Sequence, residues 1–333
     1  MERPDGPVID RLFPRAGIEG GRVVVHGSSL ANGDGGPPRV RFGEVDGRAS
    51  VATPSRIVVP VPAGATSGPV VVALGRCQSN PAPFAVGARL ARDLHPVANP
   101  AVDHDGIIYT TFSGSRGQQV PTSIFRITPG GEVIPFVSDL MNPTGLAFGP
   151  GGHLYVSSRH DGVVYRVNSV GDAEAYAEGL GVATGLAFDR EGILYVGERT
   201  GNIYRVGPAR RARPFVSLPP SVAAYHLAFG PDGALYVTAP TLANDDPIYR
   251  ISPAGVVERF VEGLARPQGL AFSGADCYVV ACLGSDRGVF RIAPGRRPEL
   301  VVTGVNLVGL AFAGPDDLIV VSTSAVYRVS VEA

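Results

Sequence analysis

A tripeptide of an aromatic residue, an arginine and a β-branched residue recurs six times: Phe125-Arg126-Ile127, Tyr165-Arg166-Val167, Tyr204-Arg205-Val206, Tyr249-Arg250-Ile251, Phe290-Arg291-Ile292 and Tyr327-Arg328-Val329. Its arginines lie 37 to 45 residues apart. A second element precedes most copies, as in Gly145-Leu146-Ala147-Phe148, Gly185-Leu186-Ala187-Phe188, His226-Leu227-Ala228-Phe229, Gly269-Leu270-Ala271-Phe272 and Gly309-Leu310-Ala311-Phe312, with Asn99-Pro100-Ala101-Val102 as a weaker sixth. A third lies between them, as in Leu154-Tyr155-Val156, Leu194-Tyr195-Val196 and Leu235-Tyr236-Val237. A period of that length marks units that cannot bury their faces alone and must stack on one another.

Each unit holds three short runs of β-formers separated by turns such as Gly230-Pro231-Asp232-Gly233, and a fourth run follows, as in Val256–Val261. Four antiparallel strands per unit make a propeller blade, so six units predict a six-bladed β-propeller over residues 88–333. The last unit stops after its third strand. The run Ala88-Arg89-Leu90-Ala91-Arg92-Asp93-Leu94 matches the fourth strand of unit four, so residues 88–95 are predicted to complete the sixth blade and close the ring. With 44 glycines and 30 prolines, an all-helical chain is excluded.

Residues 1–87 lack the repeat and show strands at short spacing, Arg22–His26, Arg39–Phe42, Arg56–Val61 and Pro69–Leu74, which suits a small β-sandwich. The segments Pro7-Val8-Ile9, Val25-His26-Gly27-Ser28-Ser29-Leu30, Val40-Arg41-Phe42-Gly43, Gly68-Pro69-Val70-Val71-Val72 and Pro83-Phe84-Ala85-Val86 resemble an IPT/TIG domain. That resemblance implies an immunoglobulin-like fold used as a spacer or adhesive module. Residues 88–333 resemble NHL-type propellers and the gluconolactonase/senescence-marker group, through Asn142-Pro143-Thr144-Gly145-Leu146-Ala147-Phe148 followed by Leu154-Tyr155-Val156. Those families include lactone hydrolases, lyases and pure binding proteins. The overall expectation is an all-β protein, an immunoglobulin-like β-sandwich followed by a six-bladed propeller.

Charge narrows the partners. The formal net charge is −1, all basic residues are arginine, and the basic patch Arg210-Arg211-Ala212-Arg213 reads as a solvated hairpin between third and fourth strands of unit three, so neither nucleic acid nor a membrane surface is an expected partner. The three cysteines, Cys77, Cys277 and Cys282, form neither a disulfide framework nor a metal spacing. The first residues show no export signal and no apolar run reaches membrane-spanning length, so the expected location is the cytoplasm.

The resemblance to the hydrolases implies a divalent ion at the ring centre, held where first strands begin and second strands end. Among those positions only Glu198 is a carboxylate, so Ca²⁺ or another divalent ion would be held weakly, and no metal ligand set is assigned. Glu198 and His226 fall in adjacent units at equivalent depth, and His226 replaces the glycine of four other units. A carboxylate beside an imidazole would raise the histidine pKa and orient the ring, which makes the two residues the candidate catalytic pair. Asn99, Thr144, Thr184, Arg199, Tyr225 and Gln268 surround that depth as candidate ligand contacts. The same face carries the longest loops, Thr111–Thr122 with Arg116, and Pro240–Pro247. His104 and His153 are assigned to first-to-second-strand turns on the opposite face. The leading expectation is a protein that binds a small polar molecule or a peptide segment. The alternative is a lactone or ester hydrolase, or a lyase.

Overall fold

A computed structural model describes residues 6–31, 36–115 and 117–331. Arg116 and both chain ends lie outside the described residues. Apart from one 3-10 turn at Pro150–Gly152, regular structure among the described residues is β-strand.

Each aromatic-Arg-β-branched tripeptide sits in the third of four antiparallel strands, which form a sheet of their own in five cases and part of a larger sheet in the fifth unit. The second sheet shows the pattern: Pro143–Phe148, Leu154–Ser158, Val163–Val167 and Ala173–Ala177 pair in that order. The first, third, fourth and fifth sheets repeat it, beginning at Ala101, Ala183, His226 and Leu270. In the sixth, Leu307–Gly314, Asp317–Ser322 and Ala325–Ser330 are joined by Ala88–Arg92, which runs antiparallel to Ala325–Ser330. The first strands contact one another in sequence order, and that of the sixth sheet returns to that of the first, so six inner strands form a closed ring.

Two repeated elements meet between neighbouring sheets. Tyr109, Tyr155, Tyr195, Tyr236 and Tyr278, on second strands, stand edge-to-face against Phe148, Phe188, Phe229, Phe272 and Phe312 of the next sheet, with centroids 4.7 to 5.2 Å apart. Each such contact adds roughly 0.5–1.5 kcal/mol beyond area burial. The tripeptide arginines work further out: Arg166 pairs with Glu174, Arg250 with Asp232 and Glu258, Arg291 with Glu299 and Arg328 with Asp317, while Arg126 stacks on Phe136 and Arg205 on Tyr195 and Phe215. The paired arginines are half-buried and serve packing rather than a site.

The front segment has two sheets. Val8–Phe13, Arg22–Ser28, Arg56–Pro60 and Val51–Thr53 form one; Ala82–Val86, Gly68–Leu74, Arg39–Phe42 and Val45–Gly47 form the other, with Cys77–Gln78 on Gly68–Leu74. Alternating valines of both fill one core with Leu12, Ile57, Phe42 and Phe84. The front does not hang free. Ala16–Gly17 runs parallel to Ala85–Val86 on one side and to Val302–Thr303 on the other, so its second sheet is continuous with the ring's fifth sheet. Arg89 with Glu19, and Arg22 with Asp286, reinforce the junction.

Candidate functional site

The six inner strands approach most closely where they begin. A Cβ on Gly145 would stand 2.1 Å from the Thr184 carbonyl oxygen, and one on Gly185 2.4 Å from that of Tyr225. Gly309 likewise abuts Ala98. The repeat glycine therefore exists because the backbone of the next strand occupies the space of a side chain. Asn99 tightens the same level: its Nδ2 donates to the Leu270 carbonyl at 2.9 Å and its Oδ1 accepts from the Leu310 N–H at 3.1 Å, linking the entry to the first sheet with the inner strands of the fifth and sixth.

From that level a central cavity of about 340 Å³ runs along the inner strands. Its floor includes Asn99, Gly145, Gly185 and His226, its wall carries Ala101, Ala147, Ala187, Ala271 and Ala311, and Phe148, Phe272 and Phe312 stand at the strand ends. Residues at the strand starts are buried and those at the ends are half-buried, so the cavity opens on the face of the first-to-second-strand turns. The sequence places the site on the other face, because the loops there are longer. It is the close glycine contacts and Asn99 that narrow that end.

His226 takes the place of a repeat glycine in the fourth sheet and is 2% exposed. Its Nε2 has no hydrogen-bond partner. Burial pushes its pKa down to about 4, so at neutral pH it is an uncharged imidazole. This reverses the expected upward shift. Glu198 contributes nothing to it, since burial is the sole cause.

Glu198 is occupied elsewhere. It is 3% exposed, Oε1 accepts from the Val182 N–H at 3.3 Å, and Oε2 accepts from the Thr200 hydroxyl. It ties the start of the third sheet's inner strand to the turn after the second, and it does not line the cavity. Thr184 donates to the Gly197 carbonyl at 3.0 Å and accepts the Tyr225 N–H at 3.0 Å. Thr144 donates to the Asn142 carbonyl at 3.2 Å. Tyr225 is fully buried, with its hydroxyl donating to the Pro219 carbonyl; burial, then Tyr249 and Glu198, push its pKa up. Arg199 reaches the Ser221 and Val222 carbonyls, and the Gln268 carbonyl accepts from Thr238 at 2.7 Å. Of the eight candidate residues, the cavity brings together Asn99 and His226. The alanine ring and the phenylalanines are sites that sequence reasoning missed; their signal, a small residue followed by Phe on five of the six inner strands and by Val102 on the first, reads equally as packing.

The ion implied by the hydrolase resemblance does not fit this donor set. Among the described residues no group of three or more His, Cys, Asp and Glu side chains is gathered, and Glu198 is committed to Val182 and Thr200. Among the same residues no helix is long and apolar enough to cross a membrane.

Solved structures give the fold a context. The chain is similar to an auxiliary nutrient binding protein from Bacteroides ovatus at 15% identity and a TM-score of 0.56, covering 99% of each chain. It is similar to a candidate gluconolactonase at 18% identity and a TM-score of 0.60, over 73% of this chain and 91% of that one. A catalytically inactive virginiamycin B lyase from Staphylococcus aureus, a histidine-to-alanine variant solved with quinupristin, aligns at 15% identity and a TM-score of 0.54, over 89% and 100%. No family model matches the chain, and no curated protein matches it significantly. At these identities the likeness establishes the fold, an almost wholly β propeller.

Proposed function

We propose that the six sheets are the blades of a six-bladed propeller over residues 88–333, preceded by an IPT/TIG-type immunoglobulin-like module over 1–87, and that the protein is a binding protein. The single observation that carries the reading is the central cavity of about 340 Å³ along the inner strands, with Asn99 and His226 at its floor. A preformed concave pocket is the usual form of a small-molecule site. The front module is a spacer, and the parallel pairing through Ala16–Gly17 makes it a rigid one. The nutrient binding protein of like fold supports this class of role without naming a ligand.

A ligand-observed NMR screen of small fragments tests the reading. Fragments that bind wild type and are lost in His226→Ala, with the thermal midpoint kept, support it; hits indifferent to that substitution contradict it. The second reading, a lactone or ester hydrolase or a lyase, draws on one observation: the free imidazole nitrogen of His226 is able to take a proton. Glu198 gives it no support, being turned away and paired. Lactone hydrolysis measured with and without chelator is expected to stay at the buffer rate. Turnover abolished by His226→Ala would establish the enzyme instead.

A further inference from the structure

We propose that a second cavity, between the third and fourth sheets, binds a zwitterionic amino acid with an apolar side chain, its carboxylate held by Arg205 and its ammonium by the turn that carries Asp189 and Glu191. This cavity shares no lining residue with the central one, so the site goes beyond the binding reading above.

Three observations carry it. First, Arg205 breaks the pairing of its repeat. Register sets the arginines of the second, fourth and fifth sheets opposite Glu174, Glu258 and Glu299, and each forms an ion pair there, at 2.7, 3.1 and 2.9 Å. Arg205 stands opposite Arg213 instead. Like charges directly opposite one another on a sheet repel, so an anion beside them is favoured. Arg126, which also stacks on a ring, faces the uncharged Ile134. Among the described residues Arg205 makes no hydrogen bond or ion pair; its Cζ lies 5.3 Å from the Tyr195 ring centroid and 5.0 Å from that of Phe215.

Second, the opposite charge is present and held apart. In the fourth and sixth sheets an aspartate at the first-to-second-strand turn reaches the arginine, Asp232 to Arg250 at 2.8 Å and Asp317 to Arg328 at 3.2 Å. In the third, Asp189 Oδ1 accepts from the N–H groups of Glu191 and Ile193 of its own turn, at 3.1 and 2.8 Å, and the carboxylate makes no ion pair with Arg205. Asp189, Glu191 and Arg205 still line one cavity, which therefore presents both signs of charge across a gap. A singly charged ligand meets a like charge there as well as an opposite one, whereas a zwitterion matches both.

Third, the cavity joins a positioned guanidinium to an apolar wall. Ile193, Leu235 and Ile251 line it, together with Phe229, which Tyr195 holds edge-to-face. Tyr195 and Phe215 hold the guanidinium, and its unengaged N–H groups are left for two parallel hydrogen bonds to a carboxylate. A preorganised fork spares the ligand the cost of ordering it. The volume of about 270 Å³ exceeds the roughly 150 Å³ that accommodates benzene in an engineered protein cavity, so a branched aliphatic side chain is accommodated.

L-Leucine, isocaproate and isoamylamine share one branched aliphatic group and differ in the charges they carry, which makes them the probes of choice. ¹H–¹⁵N spectra of the arginine Nε–H groups of the full chain, with the Arg205 signal assigned from Arg205→Gln, report contact, and calorimetry reports affinity. L-Leucine is expected to shift the Arg205 signal and to bind about tenfold or more tighter than either singly charged analogue. Arg205→Gln should abolish its binding. Glu191→Gln, at an exposed turn position, should weaken it about threefold, as loss of an exposed ion pair does. Isocaproate or isoamylamine binding at Arg205 as tightly as L-leucine would overturn the zwitterion class. If L-leucine leaves the Arg205 signal unmoved, or binds Arg205→Gln as it binds wild type, the proposal fails. His226→Ala is expected to bind L-leucine as wild type does. Hits of the fragment screen that L-leucine displaces belong to this site, and the others decide the central cavity on their own.

Discussion

The two ends of the ring's centre are built from the same six strands, and the buried polar residues gather at one of them. At the end where inner strands begin, Glu198 is bound by Val182 and Thr200, Thr184 by Gly197 and Tyr225, and Asn99 by Leu270 and Leu310. His226 stands at that same level with its Nε2 buried and unpartnered, and toward the other end the wall carries alanine and phenylalanine. Buried polar groups that find partners within the chain are architecture. A carboxylate in a ring is therefore no sign of a site by itself.

Substitutions can separate these two ends. The largest effect is expected at the crowded one: Gly145→Val forces a side chain against the Thr184 carbonyl, and denaturant titration should show a loss of about 3 kcal/mol or more. A loss under 1 kcal/mol would mean the inner strands part easily, contrary to a rigid floor.

Next comes the pH dependence. Because the folded His226 pKa is lowered to about 4 from 6.5, the unfolded chain binds more protons between those values. This contribution to stability is complete above about pH 6.5 and is lost as pH falls toward 4. From pH 7 to 4.5 wild type should lose about 2 kcal/mol more than His226→Leu. Parallel losses in the two proteins would mean that His226 is hydrated or paired, and the contrast between the two ends would dissolve.

A smaller loss is expected at Glu198. Glu198→Ala strands the Val182 N–H and the Thr200 hydroxyl, for about 1–2 kcal/mol by thermal denaturation, with fragment binding unchanged. The smallest effect is at neutral pH in His226→Leu itself, where removing an unpaired nitrogen should leave stability within about 1 kcal/mol of wild type or raise it. A loss above 2 kcal/mol would assign the imidazole to packing.

Much of the architecture was legible because it repeats. Arg126, Arg166, Arg205, Arg250, Arg291 and Arg328 each occupy a third strand, and each Leu-Ala-Phe element lies on an inner strand. The glycine before Leu-Ala-Phe was visible, and so was its exception at His226. The parallel strand at Ala16–Gly17 was not, because two residues carry no periodicity. The direction in which the cavity opens was equally hidden. Loop length drew attention to the strand-start face, whereas the cavity depends on small inner-strand residues such as Ala147 and Ala271, whose spacing also satisfies packing. Glu198 and His226 matched in depth by register. What register does not reveal is that the Thr200 hydroxyl and the Val182 amide already claim the carboxylate.

The most direct test is one titration series: binding of a fragment hit, measured by calorimetry, to wild type, His226→Ala and Glu198→Ala. The account predicts that Glu198→Ala binds as wild type does and that His226→Ala does not bind measurably. Binding lost in Glu198→Ala and kept in His226→Ala would place the site beside Glu198 and contradict it.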